Sequence, residues 1–354
     1  MTTLVAVHGV VPPYRYPQSE LTAAFAALSH PDRSRRAALD RVHRNAGVRY
    51  RHLARPIEEY AAPVDARAGN EVWLRAATDL GERAVAEALT RARIAPDEVD
   101  LIVSTTVTGI AVPSIEARIA GRLGLRPDVV RTPLFGLGCV AGAAGIARLH
   151  DHLTGHPDQV AVLLSVELCS LTVQRDDDSM ANVVASGLFG DGAAAVVAVG
   201  ERRAAATGVD GPQVIASRSH LYPESERTMG WDVVPSGLKI VLDAGVPELV
   251  EQYLGDDVRN FLADNGSGID DVAAWISHPG GPKVIEAVER TLGLPATALD
   301  PTRSSLAQLG NLSSASVLHV LADIQRDHRP GTGELGLVMA LGPGFCSELV
   351  LLRW

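Results

Sequence analysis

The stretch from Thr132 to His152, TPLFGLGCVAGAAGIARLHDH, places a cysteine at the start of a predicted helix. A short apolar run ends at Gly136 and Gly138, Cys139 follows, and small and apolar residues with helical spacing come next. This pattern predicts a strand, a sharp turn and a buried helix. Backbone N–H groups at a helix N-terminus stabilise an anion, so we expect a lowered thiol pKa and donors for a developing oxyanion. The sequence therefore predicts Cys139 as a nucleophile.

Two further polar residues stand at predicted turns between a strand and a helix. His278 follows the apolar run VAAWI and begins His-Pro-Gly-Gly, and Asn311 opens another predicted helix in GNLSS. The carboxyl end of a parallel strand is where such sheets place their ligands. Histidine can deprotonate a thiol, and histidine with asparagine can donate hydrogen bonds to a thioester carbonyl that becomes an enolate. By itself, Asn311 is also typical of a helix N-cap.

The region around the cysteine also fits a different kind of site. Gly136, Gly138 and Ala141 match the GxGxxG/A pattern of a dinucleotide fold, and Glu167 ends the next predicted strand. However, Cys139 puts a side chain where bare backbone should approach the pyrophosphate, and the motif lies in mid-chain. The sequence favours a nucleophile over a nucleotide site here.

Composition narrows the function classes. The 354 residues are 46% hydrophobic, which is enough for a large core, and the net charge of −10 disfavours a nucleic-acid partner. The N-terminus has no basic leader, and there is no run of eighteen apolar residues, so we expect a cytoplasmic protein without a membrane span. Cys139, Cys169 and Cys346 fit neither a disulfide framework nor a zinc site. Three histidines in residues 150–156 straddle a helix end and a turn, so no metal is expected.

Strands and helices alternate along most of the chain. Strands are predicted at 100–106, 132–135, 160–166, 192–199, 212–217 and 273–277, and helices at 67–95, 113–124, 139–153, 246–264, 282–292 and 313–326. Residues 202–211 have loop composition. The alternation predicts an α/β fold with a mostly parallel sheet covered on both faces. We expect two duplicated halves that share one core, residues 1–205 with the cysteine and residues 206–354 with the histidine and asparagine.

Five motifs in order make the sequence similar to a known family. They are GLGCVAGAAG around Cys139, SGLFGDGAAAVV around Phe189, SHPGGPKVIEAVE around His278, LGNLSSASVL around Asn311, and LGPGF near the C-terminus. The chain resembles the type III polyketide synthases, the family of chalcone and stilbene synthases, over essentially its whole length. The stretches SVELCSLT and TVTGIAVPS are similar to actinobacterial and mycobacterial members that accept long acyl starters.

The resemblance implies a thiolase-like fold of five layers, αβαβα, in a homodimer. Cys139 would accept an acyl group, expected to be fatty acyl, from a CoA thioester. His278 and Asn311 would bind malonyl-CoA and promote its decarboxylation to an enolate, which then extends the acyl chain. Cyclisation would give an alkylpyrone or alkylresorcinol-type product. The substrates would be acyl-CoA and malonyl-CoA, with no further cofactor.

Several substrate-binding positions follow from the same resemblance. Phe189 matches the gatekeeper aromatic between the CoA tunnel and the cavity, and Val112 matches a residue that crosses the dimer interface into the partner's cavity. The positions that match cavity-lining residues are Thr108, Cys169, Thr172 and Ile240. Cys169 and Ile240 depart from the Thr and Phe of plant enzymes, so plant substrate preference does not transfer.

The resemblance is less complete at the positions that would bind CoA. The matching positions are Arg41, Gly280, Gly281 and Ser313. The lysines that neighbour the matching arginine in the family are here Ala38 and Asn45. The arginines that could compensate for them are Arg35, Arg36 and Arg51.

Two alternatives stay open at this point. A β-ketoacyl-acyl-carrier-protein synthase III would share the fold and the Cys-His-Asn set, but it typically has Gln-Ala-Asn after the histidine, where this chain has Pro-Gly-Gly. A non-catalytic assembly subunit would share the fold but would not need to keep Cys139, His278 and Asn311.

Overall fold

The computed structural model of the protein describes residues 1–29, 33–61 and 65–354. The strands are β1 Thr2–Val10, β2 Tyr14–Pro17, β3 Tyr50–Leu53, β4 Leu101–Thr106, β5 Val130–Phe135, β6 Val160–Leu168, β7 Asp191–Gly200, β8 Gln213–Leu221, β9 Met229–Val234, β10 Gly237–Leu242, β11 Val272–Ser277, β12 Leu335–Gly342 and β13 Cys346–Arg353. The helices are α1 Gln18–Ser29, α2 Arg33–Arg44, α3 Ala66–Ala92, α4 Ile115–Leu123, α5 Ala141–Gly155, α6 Met180–Leu188, α7 Glu201–Thr207, α8 Val246–Leu249, α9 Gly255–Asp264, α10 Pro282–Leu292, α11 Asp300–Leu309 and α12 Ser314–Asp327. A π-helical turn, Val250–Leu254, joins α8 to α9.

A nine-stranded sheet in the order β11-β12-β13-β8-β1-β7-β6-β4-β5 forms the framework. The five strands from the N-terminal half join the four from the C-terminal half where β1 pairs with β8, Thr2 opposite Val214 and Thr3 opposite Gln213. β4 is parallel to both β5 and β6, and β11 is parallel to β12, whereas the other five pairs described for this sheet are antiparallel. The predicted mostly parallel sheet is therefore wrong, because several neighbouring strands, such as β12 and β13, are joined by a short turn rather than by a crossover helix. Two separate hairpins, β2–β3 and β9–β10, lie outside this sheet.

Helices α5 and α12 lie between the two halves of the sheet. One buried apolar cluster joins both helices to side chains from each half, such as Leu163 of β6 and Val350 of β13. A second cluster packs α3 and α4 on the outer face of the N-terminal strands, and a third packs α9 and α10 on the outer face of the C-terminal strands. The result is a thiolase-like αβαβα arrangement of five layers, as the resemblance implies.

Most predicted elements are confirmed, and one is wrong. The predicted strand at 160–166 lies within β6, and the predicted helix at 282–292 coincides with α10. The expected loop at 202–211 instead begins with α7, because Glu201 to Thr207 is rich in helix-forming residues and Gly208 ends the helix in a left-handed conformation. The boundary at residue 205 stays a prediction. Across the described ranges, no helix is long and apolar enough to cross a membrane.

Candidate active site

Cys139 lies in a short 3₁₀ turn, Gly138–Val140, directly ahead of α5. Gly138 has φ 57°, and a β-carbon there would lie 2.6 Å from Pro343, so only glycine lets the turn pack here. The thiol donates a hydrogen bond to Ser313 Oγ at 3.6 Å. Burial raises the pKa of Cys139 to about 12, and the negative charge of Glu167 adds to the rise. The hydrogen bond to Ser313 lowers the pKa but does not offset these effects. The predicted lowering of this pKa is wrong, because desolvation of the buried thiolate outweighs the helix N-terminus.

His278 follows β11 directly, as the sequence predicts. Its backbone N–H donates to Met339 O at 2.9 Å, which ties it to β12, and its side chain is 5% exposed. Burial lowers the pKa of His278 to about 3, so the imidazole is neutral at neutral pH. Its Nδ1 atom is buried and has no hydrogen-bond partner within the described part of the chain. A neutral imidazole with an unsatisfied nitrogen is suited to exchange a proton or a hydrogen bond with a ligand.

Asn311 is held by backbone and side chain together. Its N–H donates to Leu188 O at 2.8 Å and its carbonyl accepts from Gly190 N–H at 2.9 Å, so it bridges to Phe189. Its Oδ1 accepts from Ser313 N–H at 2.8 Å. The amide Nδ2 group has no partner among the residues the structure describes and is therefore available as a donor.

Ser313 links the asparagine to the nucleophile. Its hydroxyl accepts from the Cys139 thiol and its N–H donates to Asn311. The backbone of Ser313 has φ 50°, a conformation that residues other than glycine rarely adopt. The resemblance implies a CoA contact for Ser313, which stays a prediction, and the structure places its hydroxyl against the sulfur.

Glu167 is a buried carboxylate next to the nucleophile that the sequence analysis does not include among the site residues. Glu167, at the end of β6, accepts from Val107 N–H at 3.1 Å, from Thr108 Oγ1 at 3.0 Å and from the Ser314 hydroxyl. Burial raises the pKa of Glu167 to about 7, although these hydrogen bonds oppose the rise. The network joins β4, β6 and α12 around the sulfur of Cys139.

A cavity of about 710 Å³ lies beside these buried groups. Five of the predicted substrate residues line it, namely Thr108, Cys169, Thr172, Phe189 and Ile240. Cys139, His278 and Asn311 do not form its wall, but Cys169 lies close enough to Cys139 that a thiolate there would raise the pKa of Cys169. The volume falls in the range of about 300–1,000 Å³ typical of small-molecule sites.

Polar groups in and behind the cavity wall hold the segment around Phe189. Asp191 is fully buried and accepts from Ala54 N–H at 2.6 Å and from Ser170 N–H at 2.8 Å. Arg51 donates to Phe189 O at 2.8 Å and, through Nε, to Gln18 Oε1 at 3.0 Å. Arg51, one of the three arginines that could compensate for the missing CoA lysines, is 5% exposed and lies in the cavity wall.

The remaining predicted residues are not in the wall of the cavity. Val112 is 91% exposed and is absent from the wall of the cavity in its own chain. Arg41 is exposed on α2. Gly280 and Gly281 form the turn that precedes α10.

The arrangement can carry out acyl transfer. Desolvation penalises a lone thiolate and a lone imidazolium, so both groups rest in their neutral forms. Transfer of the proton from Cys139 to His278 would create both charges together, and each would offset the other. Asn311 then supplies an amide donor, and the cavity accommodates an acyl group.

Comparisons with known proteins identify the family. The family model of the N-terminal domain of chalcone and stilbene synthases matches residues 1–202, and that of the C-terminal domain matches residues 213–354. The chain belongs to the chalcone and stilbene synthase family. It is a type III polyketide synthase, an acyltransferase that couples chain extension to decarboxylation.

Relatives of this synthase match it over the full length. It is 54% identical to 1,3,6,8-tetrahydroxynaphthalene synthase of Streptomyces peucetius subsp. caesius, across 100% of this chain and 93% of the relative. It is 29% identical to phloroglucinol synthase of Pseudomonas fluorescens, across 100% of this chain and 99% of the relative. The solved structure of 1,3,6,8-tetrahydroxynaphthalene synthase from Streptomyces coelicolor A3(2) superposes with a TM-score of 0.93 at 30% identity and covers 99% of each chain.

These matches decide between the alternatives of the sequence analysis. The family models support a type III polyketide synthase, and nothing in the comparisons supports a β-ketoacyl-acyl-carrier-protein synthase III.

In the described ranges there is no group of three or more His, Cys, Asp or Glu side chains that could hold a metal ion.

Proposed function

We propose that this synthase makes 1,3,6,8-tetrahydroxynaphthalene or a closely similar polyhydroxylated aromatic from malonyl-CoA alone. The observation that carries the proposal is the 54% identity, over the whole chain, to a synthase named for that product. A naphthalene with hydroxyls at these positions has ten carbons and no alkyl substituent. Five malonyl units supply those ten carbons when five molecules of CO₂ leave.

The cavity wall does not by itself select the starter. Besides the predicted residues it includes the polar side chains of Tyr60, Ser170, Gln174, Asn182 and Ser236. Their donor groups are bonded within the protein, for example Gln174 Nε2 to Leu238 O at 3.1 Å and Asn182 Nδ2 to Gln174 O at 2.7 Å. The identity to the naphthalene synthase is what favours a starter without an alkyl chain. The fatty acyl starter and the alkylpyrone or alkylresorcinol product of the sequence analysis are therefore not part of this proposal.

The residues would act in the following order. The Cys139 proton passes to His278, the thiolate attacks the thioester carbonyl of malonyl-CoA, and CoA leaves as a thiolate that takes the proton back. A second malonyl-CoA loses CO₂, and His278 and Asn311 hold the resulting enolate oxygen. The enolate carbon attacks the carbonyl on Cys139, a carbon–carbon bond forms, and the Cys139 thiolate is released.

Three further expectations belong to this proposal and remain to be tested. They are a homodimer in which Val112 reaches the partner's cavity, CoA contacts at Arg41, Gly280 and Gly281, and a cytoplasmic location. The exposure of Val112 supports the first of them, because an apolar side chain that is 91% exposed in one copy gains from being covered by another.

The test is product analysis with defined substrates. The purified protein is incubated with malonyl-CoA alone, and with malonyl-CoA plus hexanoyl-CoA or dodecanoyl-CoA. We expect a ten-carbon polyhydroxylated aromatic, identified by mass and chromatography, from malonyl-CoA alone. If products form only when a longer acyl-CoA is present and carry its alkyl chain, the proposal is wrong.

A further inference from the structure

Arg51 is a buried cation in the wall of the cavity. It is 5% exposed, and its aliphatic stem packs beside Gly310, where a β-carbon would lie 3.1 Å from Arg51 Cγ. Gly310 directly precedes Asn311, and the guanidinium bonds the carbonyl of Phe189 at 2.8 Å. The guanidinium therefore lies against the backbone of the predicted gatekeeper, and its stem lies against the glycine that precedes the asparagine of the active site.

The guanidinium has donors to spare. Arginine carries five N–H donors, and Arg51 uses one for Phe189 O and one for Gln18 Oε1. Among the described residues, no carboxylate lies within salt-bridge distance of it. Two other cations in the cavity wall do have carboxylate partners: Arg55 pairs with Glu59 at 2.7 Å, and Lys239 pairs with Asp177 at 3.4 Å.

The buried acid whose charge acts on Arg51, Asp191, makes no hydrogen bond to it among the described residues. Asp191 uses both carboxylate oxygens for hydrogen bonds from Ala54 and Ser170, and it acts on Arg51 only through its charge. Burial lowers the pKa of Arg51 to about 10, so the side chain stays protonated at neutral pH. An unpaired buried cation is stabilised by an anionic ligand that can accept its free donors.

We propose that Arg51 binds the terminal carboxylate of a dicarboxylic acyl starter, such as the malonyl unit, while that starter is loaded on Cys139. The inference rests on the proposed function and adds a specificity residue to it. A planar guanidinium matches a carboxylate with two parallel hydrogen bonds, whereas the methyl end of an acetyl or fatty acyl group offers it no acceptor. The same buried charge disfavours an alkyl starter.

The experiment compares malonyl-CoA with its methyl ester, which keeps the reacting thioester but removes the negative charge. The rate of Cys139 acylation is measured for both by rapid quench and intact-protein mass, counting malonyl and decarboxylated adducts together. We expect Arg51→Gln to slow acylation by malonyl-CoA about 10- to 100-fold, the effect of losing hydrogen bonds to a charged group, and to change acylation by the ester less than about 3-fold. Arg51→Lys keeps the charge and should restore part of the preference.

Controls separate recognition from structure. Arg55→Gln should leave the ratio of the two rates unchanged, because Arg55 is paired with Glu59. If Arg51→Gln slows acylation by both substrates equally, Arg51 only positions Phe189 and Asn311. If the rate of acylation by malonyl-CoA is unchanged, Arg51 does not contact the carboxylate. Either result overturns the inference. If Arg51→Gln does not fold, the wild-type protein still decides, since equal loading of malonyl-CoA and the ester refutes the inference. Because acylation is measured without product, failure of the naphthalene proposal is detected separately.

Discussion

Replacing Gly142 with alanine tests how rigidly the two central helices hold the active site. Gly142 lies on α5, and a β-carbon there would stand 2.3 Å from the carbonyl oxygen of Ser314 and 2.7 Å from Val317 Cγ1. The helices α5 and α12 must separate by roughly 1 Å to relieve these contacts. Overpacking of this kind costs about 1–3 kcal/mol, and the better helix propensity of alanine returns about 1 kcal/mol.

The chain offers a matched control for this variant. Gly121 lies on α4, and a β-carbon there meets no atom within 4 Å, so Gly121→Ala should stabilise the protein by about 0.5–1 kcal/mol. Gly142→Ala should therefore be less stable than Gly121→Ala by about 1–3 kcal/mol in urea unfolding at unchanged m-value. The separation also disturbs the contact between Cys139 and Ser313, so product formation should fall about 10²-fold. Equal unfolding free energies for the two variants would refute the rigid contact, and full activity would refute its link to the nucleophile.

Four other outcomes are expected. Cys139→Ala should abolish product and keep the fold, because alanine suits the small-residue packing of the turn; any polyketide formed by it would exclude Cys139 as the nucleophile. Asn311→Ala should slow malonyl-CoA decarboxylation about 10²-fold or more while acylation of Cys139 suffers less, and an equal loss of both would mark Asn311 as a structural cap. Cys169→Phe should fill part of the cavity and shorten the chain that is made, with a melting curve to check for about 1–3 kcal/mol of overpacking; a folded variant with unchanged products would place Cys169 away from the growing chain. The pKa of His278 is lowered to about 3, so below about pH 6.5 the unfolded state takes up a proton that the native state does not, and the native state loses stability. His278→Gln should therefore remove about 2 kcal/mol of the stability loss between pH 6.5 and 5. Parallel pH profiles of the unfolding free energy for the two proteins would contradict this.

Local sequence signals predicted the elements that have clear boundaries. Helix α10 begins after Gly281 and ends at Gly293, and its apolar residues repeat with helical spacing, so the predicted bounds match the observed ones. The turn at Cys139 was predictable for the same reason, because glycines precede the cysteine and small residues follow it. Helix α11 and the hairpin β9–β10 were missed, since their residues are only partly apolar and lack a strong period.

Properties that depend on contacts between residues far apart in sequence could not be predicted from the local sequence pattern. The pKa of Cys139 depends on burial and on Ser313, which lies 174 positions along the chain. Local pattern places Arg51 only among three arginines that could compensate for the CoA lysines, whereas in the fold it is buried and bonds a carbonyl 138 positions away. The sequence offers Glu167 only as the acidic residue of a dinucleotide-fold pattern at the end of a strand, because nothing near it in sequence reveals the hydroxyl groups that surround it.

The nucleophile and the cavity wall are built from different parts of the fold. Cys139 and Ser313 stand at the ends of helices clamped between the two halves of the sheet, whereas Cys169, Thr172 and Ile240 belong to a short turn and a separate hairpin. Substitutions in the turn and the hairpin can therefore change the shape and polarity of the cavity without moving the sulfur. Such a division makes the enzyme evolvable: new products can arise through a few changes in the outer segments, and libraries confined to them should yield many variants that still load an acyl group but release different molecules.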